Sequence, residues 1–278
     1  MAKRDLKGKR ILITGASSGI GKAIAIEAGE RGARVFVTGR NQERLAAVVK
    51  TIRQNGGIAD SLDGDLTDPI ERERLLRAVE QSFGGLDVLV NNAGHGATGH
   101  FQYATPDRLR SIMELNFFAP CELSRLAIPM LKMGADPAIL MINSVAGRRA
   151  IPSRTEYSAS KFALMGFSEA LRGELSKDNI EVCVVSPGLT ESSFEDNMLE
   201  NSARHSLHAQ RSMKASDAAT LILNSLEKRK NETTLTFKGK MLVTLSRFFP
   251  RFIDYKMSKF VKSLYREESQ KSAATAQT

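Results

Sequence analysis

The chain has 278 residues, of which 42% are hydrophobic and 26% are charged, and its formal net charge is +9. This length and composition predict one large or two small globular domains with an ample core. No stretch reaches the eighteen or so apolar residues of a membrane-spanning helix, and the basic N-terminus lacks a signal-peptide core. Cys121 and Cys183 lie in apolar sequence without metal-site spacing, so we expect reduced core thiols, no metal and a cytoplasmic protein.

The first predicted strand, residues 10–14, leads into a glycine-rich turn and then a helix from about residue 20 to 31. This order is typical of a dinucleotide pyrophosphate site, because glycines allow close approach and the helix N-terminus offers N–H groups to phosphate. The spacing is G-x-x-x-G-x-G, so an ordinary tight turn is the alternative. The predicted contacts are Gly15, Ser17, Ser18, Gly19, Ile20 and Gly21.

The second predicted strand spans residues 33–38, and Arg40 and Asn41 follow its end. In folds that alternate strands and helices, the tip of the second strand meets the adenosine ribose of a dinucleotide. An acid there would bind the 2′-hydroxyl, whereas Arg40 can pair with a 2′-phosphate, so the sequence favours NADP(H) over NAD(H). The alternative is a solvated arginine before the predicted helix 41–55.

Two further strand ends carry candidate cofactor contacts. The third strand, residues 58–62, leads to Asp65 and Leu66. The Asp65 carboxylate could meet the adenine amino group, or it could be a loop acid near a helix cap at Thr67. The fourth strand, residues 86–90, ends in small and amide side chains that suit close approach to a ligand, or else a hydrogen-bonded turn. These candidates are Asn92, Ala93 and Gly94.

A charged helix is predicted for residues 69–83, and a longer helical pattern covers residues 107–132. The longer pattern contains Asn116, Pro120 and Pro129, which disfavour a regular helix interior. We therefore expect a kink or a distorted turn near Asn116 that exposes polar groups.

The fifth predicted strand, residues 138–143, ends at Ser144, and a helix over residues 155–176 carries Tyr157 and Lys161. Tyr157 and Lys161 are one helical turn apart and share a face. An ammonium near a phenol lowers the phenol pKa, which gives a proton donor or acceptor for carbonyl and alcohol chemistry. The Ser144 hydroxyl could bond a substrate oxygen. The alternative is a surface helix that carries this pair by chance.

The sixth predicted strand, residues 180–186, ends in Pro187 and Gly188, and the polar residues 189–213 suggest a mobile lid. The last predicted helix and strand lie at residues 214–229 and 233–237. Strands alternate with helices throughout. The sequence therefore predicts an α/β fold with a single domain, a Rossmann-type doubly wound parallel sheet of about seven strands, and helices on both faces.

Six motifs occur in order: Thr14-Gly15-x-x-x-Gly19-x-Gly21, Asn91-Asn92-Ala93-Gly94, Asn116, Ser144, Tyr157-x-x-x-Lys161 and Pro187-Gly188. Together they resemble the short-chain dehydrogenase/reductase family over about residues 8–237. The resemblance implies an NAD(P)-dependent oxidoreductase and a dimer or tetramer formed through the helices at 107–132 and 155–176. It implies a catalytic tetrad of Asn116, Ser144, Tyr157 and Lys161.

The resemblance also implies individual roles. Tyr157 is the general acid in reduction, Ser144 polarises the carbonyl, and Lys161 lowers the Tyr157 pKa and holds the nicotinamide ribose. Asn116 positions a water in the proton relay. Relatives with arginine at the position of Arg40 usually take NADP, although many also carry a basic residue where this chain has Ser18. Ser192 stands where the family often places a threonine that contacts the cofactor.

A basic, aromatic extension is predicted for residues 238–278, after a catalytic domain of residues 1–237, and its end at 270–278 reads as a frayed tail. Residues 238–266 hold eight Lys and Arg against one acid, Asp254, which is a net +7 of the chain's +9. Apolar pairs recur every four residues, as in two amphipathic segments around a proline. Packing on the domain or a neighbouring subunit is one interpretation, and peripheral contact with an anionic membrane is another. No motif supports nucleic-acid binding.

The sequence thus predicts an NADPH-dependent carbonyl reductase, or the reverse alcohol dehydrogenase, acting on a lipophilic small-molecule substrate. One alternative is a 3-oxoacyl-[acyl-carrier-protein] reductase, in which Arg148, Arg149 and Arg154 receive the acidic carrier. Another is a non-catalytic scaffold that senses the cofactor or binds a membrane. His95 and His100 are interpreted as loop residues.

Overall fold

Seven parallel strands form the central sheet in a computed structural model that describes residues 2–191, 198–200 and 212–275, with side chains of the last helix described to residue 262. The described strands are β1 Arg10–Thr14, β2 Arg34–Gly39, β3 Ile58–Asp63, β4 Val88–Asn91, β5 Ala138–Ile142, β6 Glu181–Ser186, β7 Thr190–Glu191, β8 Met213–Lys214 and β9 Glu232–Thr234. The sheet order is β3-β2-β1-β4-β5-β6-β9, while β7 and β8 form a separate pair.

Helices cover both faces of this sheet. They are α1 Gly19–Glu30, α2 Gln42–Gln54, α3 Pro69–Phe83, α4 Pro106–Met113, α5 Ala119–Lys132, α6 Thr155–Leu175, α7 Ala215–Glu227, α8 Phe237–Phe248 and α9 Pro250–Thr275. One hydrophobic core lies between the sheet and α1, α2 and α7, and a second lies between the sheet and α3, α5 and α6. The continuous apolar runs of the strands suit a parallel sheet that is buried on both faces. The predicted fold class is confirmed.

The functional edge of the sheet follows from the strand order. β1 pairs with β2 on one side and β4 on the other, so the chain order reverses at β1. In open α/β sheets the crevice outside the carboxyl ends of the strands at such a reversal is the usual ligand site. The glycine turn after β1 lies at this point.

The predicted helix at 107–132 is interrupted. A π-helical turn at Glu114–Phe118 separates α4 from α5 and contains Asn116. The expected distortion near Asn116 is therefore confirmed, but the Asn116 side chain is buried rather than exposed. Pro120 lies in the first turn of α5, where a missing N–H costs least, and Pro129 lies inside that helix.

Three element predictions are corrected or remain untested. The last strand ends at Thr234 rather than 237, because Thr236 caps α8 by accepting a hydrogen bond from the Gly239 N–H at 3.1 Å. α9 extends to Thr275, and the frayed tail at 270–278 stays a prediction. Most of the predicted lid at 189–213 lies outside the described residues, although β7 and β8 pair at its two ends. No helix in the described part of the chain is long and apolar enough to cross a membrane.

Candidate active site

The glycine turn after β1 packs too closely against the end of β4 to accept a side chain. Gly15 has a φ of +63°, and a β-carbon there would lie 2.8 Å from the Ala93 Cα. A β-carbon on Gly21 would lie 2.4 Å from both the Asn92 Nδ2 and the Gly15 oxygen. Ser18 is the N-cap of α1, but its side chain makes no capping hydrogen bond. The turn therefore presents backbone at a helix N-terminus, which fits a dinucleotide pyrophosphate.

Thr14 joins this turn to the neighbouring strand end, a role that the sequence analysis did not assign. Its Oγ1 accepts hydrogen bonds from the Asn92 and Ala93 N–H groups at 2.9 and 3.0 Å. The Asn92 Nδ2 donates to the Thr14 and Gly15 oxygens at 2.9 and 3.2 Å. The Asn92 amide thus fixes the turn, and the two strand tips form one wall.

The end of β2 presents two arginines to the same space. Arg40 is exposed, and Arg44 lies on the first turn of α2. Asn41 caps α2 by accepting from the Arg44 N–H at 2.8 Å. Arg44 was missed in the sequence analysis, although the predicted helix 41–55 already placed it near the end of β2.

Asp65 has the loop role that the sequence left open. Its Oδ1 accepts from the Thr67 N–H and Oγ1 at 3.0 and 2.9 Å, although Asp65 also lines the space below Arg40. The cap of α3 is Asp68 rather than Thr67, since Asp68 accepts from the Ile70 N–H.

Asn116 is fully buried in the π-helical turn and holds the loop after β4. Its Oδ1 accepts from the His95 N–H at 3.0 Å, and its Nδ2 donates to the His95 oxygen and the Ser160 Oγ at 2.9 and 3.0 Å. A β-carbon on Gly94 would lie 2.9 Å from the Asn116 Oδ1. Both amide hydrogens of Asn116 are therefore committed to the protein.

His95 lies in the loop after β4, as interpreted from the sequence, but its burial was not expected. Its side chain is buried, lines the site, and has its Nε2 at 3.4 Å from the Ser111 Oγ. Burial lowers the pKa of His95, and the positive charge of Arg40 lowers it further. The sequence shows no sign of this, because the π-helical turn brings α4 against the loop.

Ser144 and Tyr157 meet across the site. Ser144 follows β5 and caps a short 3-10 turn by accepting from the Ala146 N–H at 3.1 Å. Its side chain also hydrogen-bonds Tyr157. A β-carbon on Gly147 would lie 2.8 Å from the Lys161 Cβ, so Gly147 allows α6 to approach this turn.

Lys161 lies beside the Tyr157 ring, with its Nζ 5.9 Å from the ring centroid. The Nζ donates to the Ile142 oxygen at 3.0 Å, and burial lowers the pKa of Lys161 to about 8. Burial raises the pKa of Tyr157, while the hydrogen bond with Ser144 and the charge of Arg154 oppose this without reversing it. The prediction of a lowered Tyr157 pKa is therefore wrong for this arrangement, because losing water costs the phenolate more than its neighbours return.

One cavity of about 1250 Å³ brings most of the predicted residues together. The predicted residues that line it are Gly15, Ser17, Ser18, Gly19, Ile20, Gly21, Arg40, Asn41, Asp65, Leu66, Asn92, Ala93, Gly94, Ser144, Tyr157, Lys161, Pro187 and Gly188. Asn116 lies behind the wall, and Ser192 lies outside the described residues. Helices α8 and α9 add Leu242, Met257 and Phe260, which the sequence analysis did not place at the site.

A parallel sheet with an open glycine turn, and with serine, tyrosine and lysine beside it, defines a pyridine-nucleotide-dependent oxidoreductase. Comparison with known families supports this class, since the short chain dehydrogenase model matches residues 9–203. The chain belongs to the short-chain dehydrogenase/reductase family.

Two curated relatives are equally similar in sequence. An uncharacterized oxidoreductase of Thermotoga maritima is 36% identical over 188 residues, which is 68% of this chain and 74% of that protein. A 3-ketodihydrosphingosine reductase of Bacteroides thetaiotaomicron is 36% identical over 187 residues, which is 67% of this chain and 66% of that protein.

Two solved structures share the fold. A short-chain dehydrogenase from Burkholderia cenocepacia in complex with NADP has a TM-score of 0.74 at 34% identity, covering 84% of this chain and 97% of that chain. A family member from Burkholderia phymatum in complex with NAD has a TM-score of 0.82 at 24% identity, covering 90% and 96%. Structural neighbours thus bind either dinucleotide.

Proposed function

We propose that this protein is an NADPH-dependent carbonyl reductase, or the reverse alcohol dehydrogenase, that acts on a lipophilic ketone or secondary alcohol. The observation that carries the proposal is the Ser144–Tyr157 hydrogen bond on the wall of the cavity that also contains the open glycine turn. Proton transfer and dinucleotide binding then share one space, as carbonyl reduction requires.

When bound, NADPH supplies a hydride to the carbonyl carbon. Tyr157 supplies the proton to the carbonyl oxygen. Since burial raises its pKa, its hydroxyl stays protonated at neutral pH and is ready to donate. Ser144 hydrogen-bonds the same oxygen and stabilises the charge that develops there.

Lys161 and Asn116 support this step. With a pKa of about 8, Lys161 is mostly charged at neutral pH, so it stabilises the phenolate that remains after Tyr157 has given its proton. We also assign Lys161 to the nicotinamide ribose. Asn116 acts as a positioning residue for the Gly94–His95 loop, because its amide hydrogens are already bonded. A relay water would have to be held by other atoms of the π-helical turn.

The preference for NADP(H) rests on Arg40 and Arg44. Both line the cavity at the end of β2, where the adenosine ribose lies in such folds. Two cations there favour a 2′-phosphate over a free hydroxyl. The complex of the 34% identical relative with NADP agrees with this choice.

The lipophilic substrate is inferred from the opposite part of the cavity. Met198, Met213, Leu242, Met257 and Phe260 line it there. Apolar and adaptable side chains of this kind suit an aliphatic or aromatic ligand. A relative at 36% identity is a 3-ketodihydrosphingosine reductase, whose name denotes a lipid ketone.

The carrier-protein alternative has less support. Arg148 pairs with Glu232, and Arg149 pairs with Asp254, so these two arginines serve contacts within the chain. Arg154 lines the cavity instead. The scaffold alternative leaves the pairing of Tyr157 with Lys161 without a use, since a module that only binds the cofactor needs no proton donor beside it.

We also propose a homodimer or homotetramer through α4, α5 and α6. Leu109 on α4, Phe118 at the end of the π-helical turn before α5, and Phe162 on α6 are 37%, 47% and 45% exposed, which is high for large apolar side chains. Exposed apolar residues on adjacent helices are typical of a contact between subunits.

The test of the proposed reaction is NADPH oxidation with methyl ketones of increasing chain length, with NADH assayed in parallel. A second set of assays compares 3-oxoacyl groups that are free with the same groups linked to a carrier protein. We expect turnover with NADPH to rise with chain length and to need no carrier. Turnover with carrier-linked substrates alone would favour the 3-oxoacyl reductase. No turnover across the panel, in either direction, would favour the scaffold.

A further inference from the structure

Helix α9 has two different faces. Ile253, Met257 and Phe260 repeat at helical spacing on the inner face, where Ile253 is 6% exposed and the other two line the cavity. Phe252 and Tyr255 lie on the outer face and are 53% and 56% exposed. The inner face is already explained by the cavity, whereas the outer face has no such explanation.

Large apolar side chains are exposed along α8 and α9. One of them, Phe237, also lines the cavity, as do Lys238 and Lys256. We call the exposed side chains of residues 237–262 the C-terminal surface. Its apolar members are Phe237, Met241, Phe248, Phe249, Phe252 and Tyr255, between 49% and 80% exposed. This is a concentration of exposed aromatic residues that a protein surface keeps only for a partner.

The same surface is strongly basic. Its cations are Lys238, Lys240, Arg247, Arg251, Lys256, Lys259 and Lys262, all exposed. The one acid in this stretch, Asp254, is paired with Arg149 of the catalytic domain. Among the residues that the structure describes, none of these seven cations forms an ion pair. Lys256 and Lys259 lie instead over the rings of Phe252 and Tyr255, at 5.5 and 4.6 Å.

We propose that the C-terminal surface docks on an anionic membrane surface. Aromatic side chains at the headgroup level, flanked by Lys and Arg that meet lipid phosphates, are the chemistry of an interfacial helix. The buried side chain of Ile253 and the Arg149–Asp254 ion pair hold α9 against the domain, so the docked protein has a defined orientation.

Docking also suggests how the substrate reaches the cavity, and this part of the inference rests on the proposed function. Because α8 and α9 line the cavity with their inner sides, docking places the apolar half of the cavity next to the bilayer. A lipophilic ketone could then enter from the membrane without crossing water. The membrane is favoured over a second copy of the chain, since two identical basic surfaces repel each other. It is favoured over a nucleic acid, since the part of the cavity that α8 and α9 line contains the apolar side chains of Leu242, Met257 and Phe260.

The test is sedimentation of the full-length protein with vesicles of phosphatidylcholine alone and with added phosphatidylserine. We expect binding to the anionic vesicles that weakens as salt is added. Arg251→Glu with Lys259→Glu should weaken it by about 25-fold or more. Lys50→Glu with Lys177→Glu, which reverses two exposed lysines elsewhere, is the matched control and should bind much as the unaltered protein does.

The aromatic contribution is tested by Phe248→Ser with Phe252→Ser against Tyr103→Ser with Met133→Ser, all four residues being exposed. Only the first pair should lose binding that persists at high salt. The proposal would be overturned if a test variant and its matched control lost vesicle binding equally. It would also be overturned if the Arg251/Lys259 variant kept its binding. Binding to duplex DNA or RNA but not to vesicles, or self-association that the Phe248/Phe252 variant abolishes, would overturn it as well. Tyr157→Phe should bind vesicles normally, so failure of the reaction and failure of docking are distinguishable.

Discussion

Lys161 keeps an ammonium group where only 4% of the residue is exposed. Burying a charge away from water is costly, and that cost lowers the pKa of Lys161 from 10.5 to about 8. The Ile142 carbonyl offsets part of it. The proposed reaction accounts for this cost, because the charge stabilises the phenolate that forms when Tyr157 has lost its proton.

Replacing Lys161 by methionine should therefore make the protein more stable while removing its activity. The depressed pKa of Lys161 corresponds to a penalty of about 3 kcal/mol at neutral pH. The folded state loses this proton before the unfolded state as pH rises, so the penalty is full below pH 8 and fades between about 8 and 10.5. Denaturant unfolding at several pH values measures it. A Lys161→Met protein that is less stable than the unaltered protein at pH 7 would contradict this account.

Arg40 and Arg44 should decide the choice between the two dinucleotides. Charge-assisted hydrogen bonds contribute roughly 1.5–3 kcal/mol, so Arg40→Ala with Arg44→Ala should raise the Kd for NADPH by about tenfold to more than a hundredfold. The Kd for NADH should change little. Lys50→Ala, which removes a cation from the far end of α2, is the control. Tryptophan is absent from the chain, so nicotinamide fluorescence can report binding, and an equal loss for both dinucleotides would contradict the assignment.

At the scale of elements, α6 is held in place at its start by a buried ion pair. Arg108 on α4 donates to the Glu156 Oε1 from Nε and Nη2 at 2.8 and 2.6 Å, and it also pairs with Glu200. Glu156 directly precedes Tyr157 and is 2% exposed. The orientation of the tyrosine hydroxyl thus depends on a helix that is remote in sequence.

Arg108→Ala should destabilise the protein by about 3–5 kcal/mol, because it leaves the Glu156 carboxylate buried without its partner. Arg125→Ala is the matched control, since it removes an exposed arginine that pairs with Glu122 on α5, and it should cost less than about 1 kcal/mol. Thermal or denaturant unfolding compares the two. Similar small losses in both variants would show that the buried pair holds nothing in place.

Elements with strong local signals were predictable from the sequence. α3 begins and ends at the predicted residues because Asp68 caps it, Pro69 opens it, and Gly84 ends it with a φ of +71°. The last strand was predicted too long because Thr236, which reads as a strand former, caps α8 instead. A local pattern fixes such a boundary only when the residue there favours one role, either in a strand or as a helix cap.

Contacts between distant segments were not predictable. The burial of His95 and the lining of the cavity by α9 both depend on tertiary packing. The raised pKa of Tyr157 is a further case, since sequence spacing gave the nearby charge of Lys161 but not the loss of water around the ring. Burial is a property of the whole fold.

At the scale of the whole molecule, the amino and carboxyl ends of the strands have different roles. Arg4, Asp136, Glu181 and Arg229 form an ion-pair network at the amino ends of the strands. The cavity lies at the carboxyl ends, with α8 and α9 along its side. The ion-pair network therefore lies at one end of the strands and the cavity at the other, and the C-terminal surface adjoins the cavity.

The central claim is that Tyr157 gives its proton to a substrate oxygen beside a bound dinucleotide. The most direct measurement compares Tyr157→Phe with the unaltered protein for ketone turnover and for NADPH binding. We predict that turnover falls by about 100- to 10,000-fold, the range for loss of a general acid, while NADPH binds with unchanged affinity. Near-normal turnover in Tyr157→Phe, with NADPH still bound, would contradict the account.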